Sequence, residues 1–179
     1  LAYAVAKSVF QEEIEPQCVD FFAGAGGLSL GFELAGATGA AAIEYDRNIA
    51  PTYEFNRPCE RVASSRKTHT VFLETDLSLP ESRLAVLDRL HEKLCGSAPD
   101  AVIGGPPCQG FSHAGWRRKD DERNDLASIF LEFVAELRPA FVLIENVEGL
   151  LTYNRGQVVN DLLQTLRDLG YDTGTSPWL

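Results

Sequence analysis

Short apolar runs rich in β-branched and aromatic residues alternate with stretches whose apolar positions recur every three or four residues. That alternation predicts an α/β fold, a parallel sheet covered by helices. Strands are expected at 18–22, 40–44, 70–73, 100–103 and 141–145. Helices are expected at 28–35, after a glycine turn, and at 48–56. Leu84, Leu87, Leu90 and Leu94 mark a third helix. Ile129, Phe130, Phe133, Val134 and Leu137 mark a fourth, which stops before Pro139. Val158, Val159, Leu162, Leu163, Leu166 and Leu169 mark a last one, with Gly170 as its stop. Between the fourth strand and the fourth helix, residues 104–125 read as one long polar loop. Such loops are uncommon inside a compact domain and are usually functional. The chain shows no internal repeat, low-complexity tract or interdomain linker, and 64–68 is only a short polar loop.

A length of 179 residues suits one domain with a sizeable core. Hydrophobic residues make up 45% and charged residues 23%, the balance of an ordinary globular protein. No apolar run is long enough to span a bilayer, so a membrane partner is not expected. Residues 1–10 are mildly apolar without a basic leader, which disfavours a signal peptide. The absence of Met and the start at Leu1 lead us to expect a piece of a longer chain. The four cysteines, Cys18, Cys59, Cys95 and Cys108, form no C-x-x-C pair. Neither a disulfide framework nor a zinc site is expected, and a reducing, intracellular setting is. A net charge of −10 argues against a self-sufficient nucleic-acid binder.

Three clusters carry candidate chemistry. Asp20-Phe21-Phe22-Ala23-Gly24-Ala25-Gly26-Gly27 closes the first strand and opens a helix. Glycines there let the backbone turn tightly and approach a ligand. Glu44, about twenty positions on at the end of strand two, is placed to bind ribose hydroxyls, and the ring of Tyr45 to lie against a base. The spacing lacks the full dinucleotide fingerprint, so a mononucleoside ligand fits better. A plain strand-to-helix turn is the alternative. Asp76 follows strand three and suits either an adenine amino group or a helix cap.

The second cluster is Gly104-Gly105-Pro106-Pro107-Cys108-Gln109-Gly110, after Ala101-Val102-Ile103. Pro106 and Pro107 stiffen the turn that presents the Cys108 thiol, as a nucleophile requires. Trp116, Arg117, Arg118, Lys119 and Arg123 follow it. Cations near a thiol favour thiolate, and cations on a loop can meet phosphates. Asp120, Asp121, Glu122 and Asp125 lie among them, so a solvated surface loop is the competing reading. Cys18, Cys59 and Cys95 are expected to be small core residues. The third cluster is Leu143-Ile144-Glu145-Asn146-Val147. Glu145 follows a fully apolar run, so partial desolvation, favouring its protonated form, is expected, with a helix-capping or ion-paired acid as the alternative.

Taken together, these residues resemble the C5-cytosine methyltransferase family. The resemblance rests on the 20–27 turn, on Ile43-Glu44-Tyr45-Asp46 and on Gly105-Pro106-Pro107-Cys108-Gln109-Gly110-Phe111-Ser112. It also includes Arg123-Asn124-Asp125-Leu126 and Glu145-Asn146-Val147, in order and over nearly the whole chain. It implies a Rossmann-like, S-adenosyl-L-methionine-dependent fold with a mostly parallel sheet of about five strands. The cofactor would be lined by Phe22, Ala23, Gly24, Gly26, Gly27, Glu44, Tyr45, Asp76, Leu77, Pro107 and Leu126. Cys108 would be the nucleophile that attacks carbon 6 of cytosine, and Glu145 the group facing ring N3. Pro107, Gln109, Ser112, Arg123, Asn146 and Val147 would meet the substrate. The target base would be flipped out of double-stranded DNA, and the loop after Cys108 would close over it.

The resemblance divides residues 1–179 into a cofactor-binding region at 18–78, a catalytic loop at 104–125, and the Glu-Asn-Val strand with the last helix at 140–170. The family pattern continues past Leu179 with a basic motif, further strands and a target recognition domain. The expectation is therefore a partial catalytic domain, weak or inactive alone, completed by a C-terminal half or a second chain. The expected activity is DNA (cytosine-5-)-methylation. A tRNA cytosine-5 methyltransferase and a non-catalytic binding subunit are the alternatives. Restriction-modification, a solitary methylase and epigenetic marking all fit as roles.

Overall fold

The computed structural model describes residues 1–10, 15–57, 70–107 and 126–174. Five strands form one parallel sheet in the order β3-β2-β1-β4-β5. They are β1 (Gln17–Phe21), β2 (Thr38–Glu44), β3 (Val71–Glu74), β4 (Ala101–Gly104) and β5 (Phe141–Ile144). The helices are α1 (Ala2–Val9), α2 (Gly27–Leu34), α3 (Ala50–Asn56), α4 (Pro80–Lys93), α5 (Leu126–Leu137), α6 (Gly149–Thr152) and α7 (Gln157–Asp168). A 3-10 turn, Tyr153–Gly156, joins the last two. The expected strands and helices are present, with ends displaced by at most four residues. The helix at 1–10 was not expected: its spaced small residues, Ala2, Val5 and Ala6, are a weak periodic signal. It seats Ala2 so close to Gly31 of α2 that any side chain there would collide with it.

The sheet is apolar on both faces because helices cover both, as a parallel sheet requires. Strand periodicity sends alternate residues to opposite sides. Val19, Phe21 and Val102 join a large cluster with α4, α5 and α7. Phe21 anchors it, edge-on to Phe130 at 5.9 Å and tilted on Phe133 at 4.6 Å. Cys18, Ala101 and Ile103 join Ala6 of α1 and Phe32 of α2 on the other face. Cys18 is thus a buried core thiol, as expected, whereas Cys95 is exposed. Among the described residues no helix is long and apolar enough to cross a membrane.

The strand order reverses at the β1–β4 boundary. The chain builds outward from β1 to β3, then returns to place β4 on the other side of β1. In open α/β sheets ligands bind outside the carboxyl ends of strands at this point. Among the described strands β5 pairs with β4 alone. Its residues are accordingly only half-buried, whereas all of β4 is buried.

Candidate functional site

The turn after β1 lies at that carboxyl edge. Phe22 takes φ +57° and the chain doubles back, with Ala23 N–H on the Ile43 carbonyl at 3.0 Å and Gly26 N–H on the Ala23 carbonyl at 2.8 Å. Gly24 and Gly26 sit at φ +55° and +84°, the left-handed region that side chains disfavour. Their surroundings differ. Among the described residues nothing lies within 4 Å of a Cβ built on Gly24 or Gly27, so the turn is open there. A Cβ on Gly26 would run into the Arg57 guanidinium and stand 2.7 Å from Tyr53 Cδ2. The turn therefore has one packed face and one face free for a ligand.

Glu44 at the end of β2 is built into this turn. Its Oε2 accepts from Gly24 N–H at 2.7 Å, and its Oε1 from Tyr45 and Asp46 N–H at 2.8 Å each. A carboxylate offers about four acceptor sites, so one remains for a ribose hydroxyl. Tyr45 is exposed beside it. Asp76 behaves otherwise: its Oδ1 accepts from Ser78 N–H at 2.9 Å, a local turn ahead of α4. Leu77, also expected to line the cofactor, follows it and is buried in the main core. Phe22 and Leu126 pack partly against that same core.

Beneath the turn lies a buried polar layer that sequence reading missed. Asp20 of β1 is 1% exposed. Its Oδ2 accepts from Ser29 N–H at 3.1 Å and Ser29 Oγ at 2.5 Å. With its proton committed to Asp20, Ser29 Oγ receives the Tyr53 hydroxyl at 3.0 Å. Arg57, 6% exposed, stacks over the Tyr53 ring at 4.7 Å and pairs with Glu33 at 3.2 Å. It also donates to the carbonyls of Ala25 (3.3 Å) and Gly26. Burial pushes the Asp20 carboxyl up to about 7, against the opposing pull of the Ser29 hydrogen bonds and the Arg57 charge. Burial likewise raises Glu33 and Tyr53. An aspartate within the otherwise apolar 18–22 run was the one available signal of this layer.

The second half of the edge is the pair β4–β5. Glu145 N–H donates to the Gly104 carbonyl at 2.8 Å, extending the pairing one residue past the end of β5. A Cβ on Gly105 would stand 3.1 Å from Glu145 Oε2. Asn146 Nδ2 donates to the Pro106 carbonyl at 3.0 Å, and its Oδ1 accepts from Val147 N–H at 2.8 Å. Pro106 is buried and Pro107 exposed. The Gly-Pro-Pro turn and the Glu-Asn-Val segment, 40 residues apart, are thus pinned together. Glu145 itself is exposed, which corrects the expectation of a desolvated acid. The apolar run before it ends at the strand's tip, so the carboxylate stands beyond the sheet. Cys108, Gln109, Ser112 and Arg123 lie outside the described residues. Among the described residues no cluster of three His, Cys, Asp or Glu is arranged to hold a metal.

The chain is similar to known proteins. The chain is 40% identical over 156 residues to the Type II methyltransferase M.AgeI of Thalassovita gelatinovora, covering 86% of this chain and 33% of that protein. It is 37% identical over 164 residues to the Type II methyltransferase M.XorII of Xanthomonas oryzae pv. oryzae, covering 89% and 35%. A solved prophage-encoded protein from E. coli, assigned as a DNA modification methyltransferase, superposes with a TM-score of 0.63 at 32% identity, covering 86% of this chain and 38% of that one. The chain spans about a third of the length of these relatives. The family model for C-5 cytosine-specific DNA methylases matches residues 16–176, from the first residues before β1 to beyond α7. With its glycine turn, its Gly-Pro-Pro turn and its Glu-Asn-Val segment at one edge of the sheet, the chain belongs to the C-5 cytosine-specific DNA methylase family.

Proposed function

We propose that this chain is the cofactor-binding and nucleophile-bearing part of a DNA cytosine-C5 methyltransferase. The observation that carries the reading is the pinning of Gly105 and Pro106 against Glu145 and Asn146. It joins the segment leading into Cys108 to the acid assigned to the pyrimidine ring. The open side of the 22–27 turn, with Glu44 beside it, fits S-adenosyl-L-methionine. That group, when bound, supplies the methyl that carbon 5 takes. The Cys108 thiolate adds to carbon 6, and the electrons of the C5–C6 double bond move toward carbon 5. Glu145 holds a proton at N3 and so stabilises the charge that spreads into the ring. After methylation the carbon 5 proton leaves to solvent, and its electron pair expels the thiolate.

The target carbon is inaccessible inside a duplex, so the substrate is a cytosine flipped out of double-stranded DNA. A chain of net charge −10 has little basic surface to hold that duplex. We assign the reading of base sequence to the part of the relatives that this chain does not span, carried on the same polypeptide or on a second one. The Type II relatives favour a role in restriction-modification.

The test is covalent trapping on a duplex containing 5-fluorocytosine, with S-adenosyl-L-methionine, first with this chain alone and then with the remaining part supplied. Fluorine blocks loss of the group at carbon 5, so a working Cys108 stays attached. The expected result is an adduct that needs the added part and disappears in Cys108→Ser. Adduct formation by Cys108→Ser, or on tRNA in place of duplex, would overturn the reading.

A further inference from the structure

Arg57 is a charged residue with 6% exposure in a chain whose proposed chemistry does not use it. Its contacts converge on one place. Its guanidinium donates to the carbonyls of Ala25 and Gly26, two consecutive peptides of the turn after β1. Its Nε donates to Glu33 Oε2 at 3.2 Å on α2, and its plane lies on the Tyr53 ring of α3. Tyr53 is in turn fixed through Ser29 to Asp20 at the end of β1. The guanidinium and Tyr53 fill the space that a side chain on Gly26 would need. At Gly24 and Gly27, by contrast, no described residue lies within 4 Å of where a Cβ would stand.

We infer that Arg57 is a positioning residue for the cofactor: from behind, it holds the turn in the conformation that leaves its other face open to the ligand. The inference rests on the assignment of that face to S-adenosyl-L-methionine. The physical reasoning is simple. Left-handed turns have several competing conformations, and a ligand that must select one binds more weakly. Two peptide carbonyls fixed by a planar donor fork cannot rotate toward the ligand side without breaking charge-assisted hydrogen bonds. Lysine offers charge without the fork and without the flat surface that stacks on Tyr53. Glu33 and Tyr53 hold the fork itself. The carboxylate of Glu44 does the complementary task on the other side, fixing an N–H of the same turn.

The experiment is calorimetric titration of S-adenosyl-L-methionine into this chain, into Arg57→Ala and into Arg57→Lys, with the melting temperature of each. Arg57→Ala is expected to bind at least roughly tenfold more weakly while still folded at the temperature of titration. Arg57→Lys should recover only part of that loss. Millimolar guanidinium ion should restore binding to Arg57→Ala and leave the unsubstituted chain unchanged, a response that lost stability alone does not produce. Equal affinity of Arg57→Ala and the unsubstituted chain overturns the inference, as does a loss untouched by guanidinium. Should Arg57→Ala fail to fold, Glu33→Gln, which loosens the fork but keeps it, should weaken binding several-fold, and unchanged affinity there also overturns it. No binding by the unsubstituted chain at millimolar cofactor would instead sink the cofactor assignment on which the inference stands.

Discussion

The Gly24 N–H donates to Glu44 Oε2 at 2.7 Å, tying the turn after β1 to the end of β2 across 20 residues. The acid that faces the proposed nucleoside therefore also shapes the loop beside it. Glu44→Ala leaves three backbone N–H donors without their carboxylate acceptor at once. It should lower stability by about 1–3 kcal/mol and weaken cofactor binding by roughly tenfold or more. Glu44→Gln keeps acceptor oxygen for some of these donors and should fall between. Urea denaturation and calorimetric titration of the three proteins would check the order.

Gly24 and Gly26 share a left-handed backbone but not a neighbourhood. Alanine at either position adds strain of about 1–2 kcal/mol. At Gly26 it also collides with Arg57 and Tyr53, raising the total to about 2–4 kcal/mol. Gly24→Ala places its methyl in the open face and should impair cofactor binding more than folding. Equal destabilisation by the two changes would contradict the two-faced description of the turn.

Asp20 carries a pH prediction. Burial raises its folded-state value to about 7, well above the ordinary range of an unfolded aspartate near 4. Between these values the folded protein holds the proton more tightly than the unfolded chain. The contribution of Asp20 to stability is therefore most favourable below about pH 4, declines as pH rises to about 7, and is constant above that. Asp20→Asn cannot titrate. Its stability relative to the parent should rise across that window, by at most about 4 kcal/mol. Parallel denaturation curves at pH 5 and pH 8 measure the difference. A stability of Asp20→Asn relative to the parent that falls with rising pH would refute the assignment.

The Gly105–Glu145 contact predicts an effect on chemistry rather than on folding. A methyl on Gly105 would stand 3.1 Å from Glu145 Oε2 and push the carboxylate aside by a few tenths of an ångström. Gly105→Ala should leave the melting temperature within a few degrees of the parent. In the completed enzyme it should lower methyl transfer about tenfold or more, with little change in cofactor affinity. Asn146→Ala, which releases the Pro106 carbonyl, should act in the same direction. Single-turnover methyl transfer, set beside cofactor titration, separates the two effects.

The sheet was legible because each strand is a short apolar run closed by a turn signal. Gly24, Glu44, Pro107 and Glu145 were placed correctly at its carboxyl edge for the same reason. Helix α1 was not, since alanine-rich stretches have weak amphipathic contrast. The burial of Leu77 was not legible, because nothing local in the sequence marks the Asp76–Ser78 turn that precedes α4. Glu145 was expected to be desolvated from the run before it, but exposure depends on what stands beside a strand's tip rather than on what precedes it. Arg57 was invisible: arginine is usually exposed, and its hydrogen-bond partners lie 24 to 32 residues away in sequence.

The layer formed by Asp20, Ser29, Tyr53, Arg57 and Glu33 has a historical consequence. Each member keeps a neighbour's charge or proton satisfied where water reaches little beyond the half-buried Glu33. Changing one strands another, and such coupled losses do not add independently. These positions should drift across descendants as a set, with paired replacements far outnumbering single ones, whereas solvent-facing residues on α4 and α7 change one at a time. A lineage that lost Arg57 should have changed Glu33 as well, and a larger residue at Gly26 becomes accessible only after both.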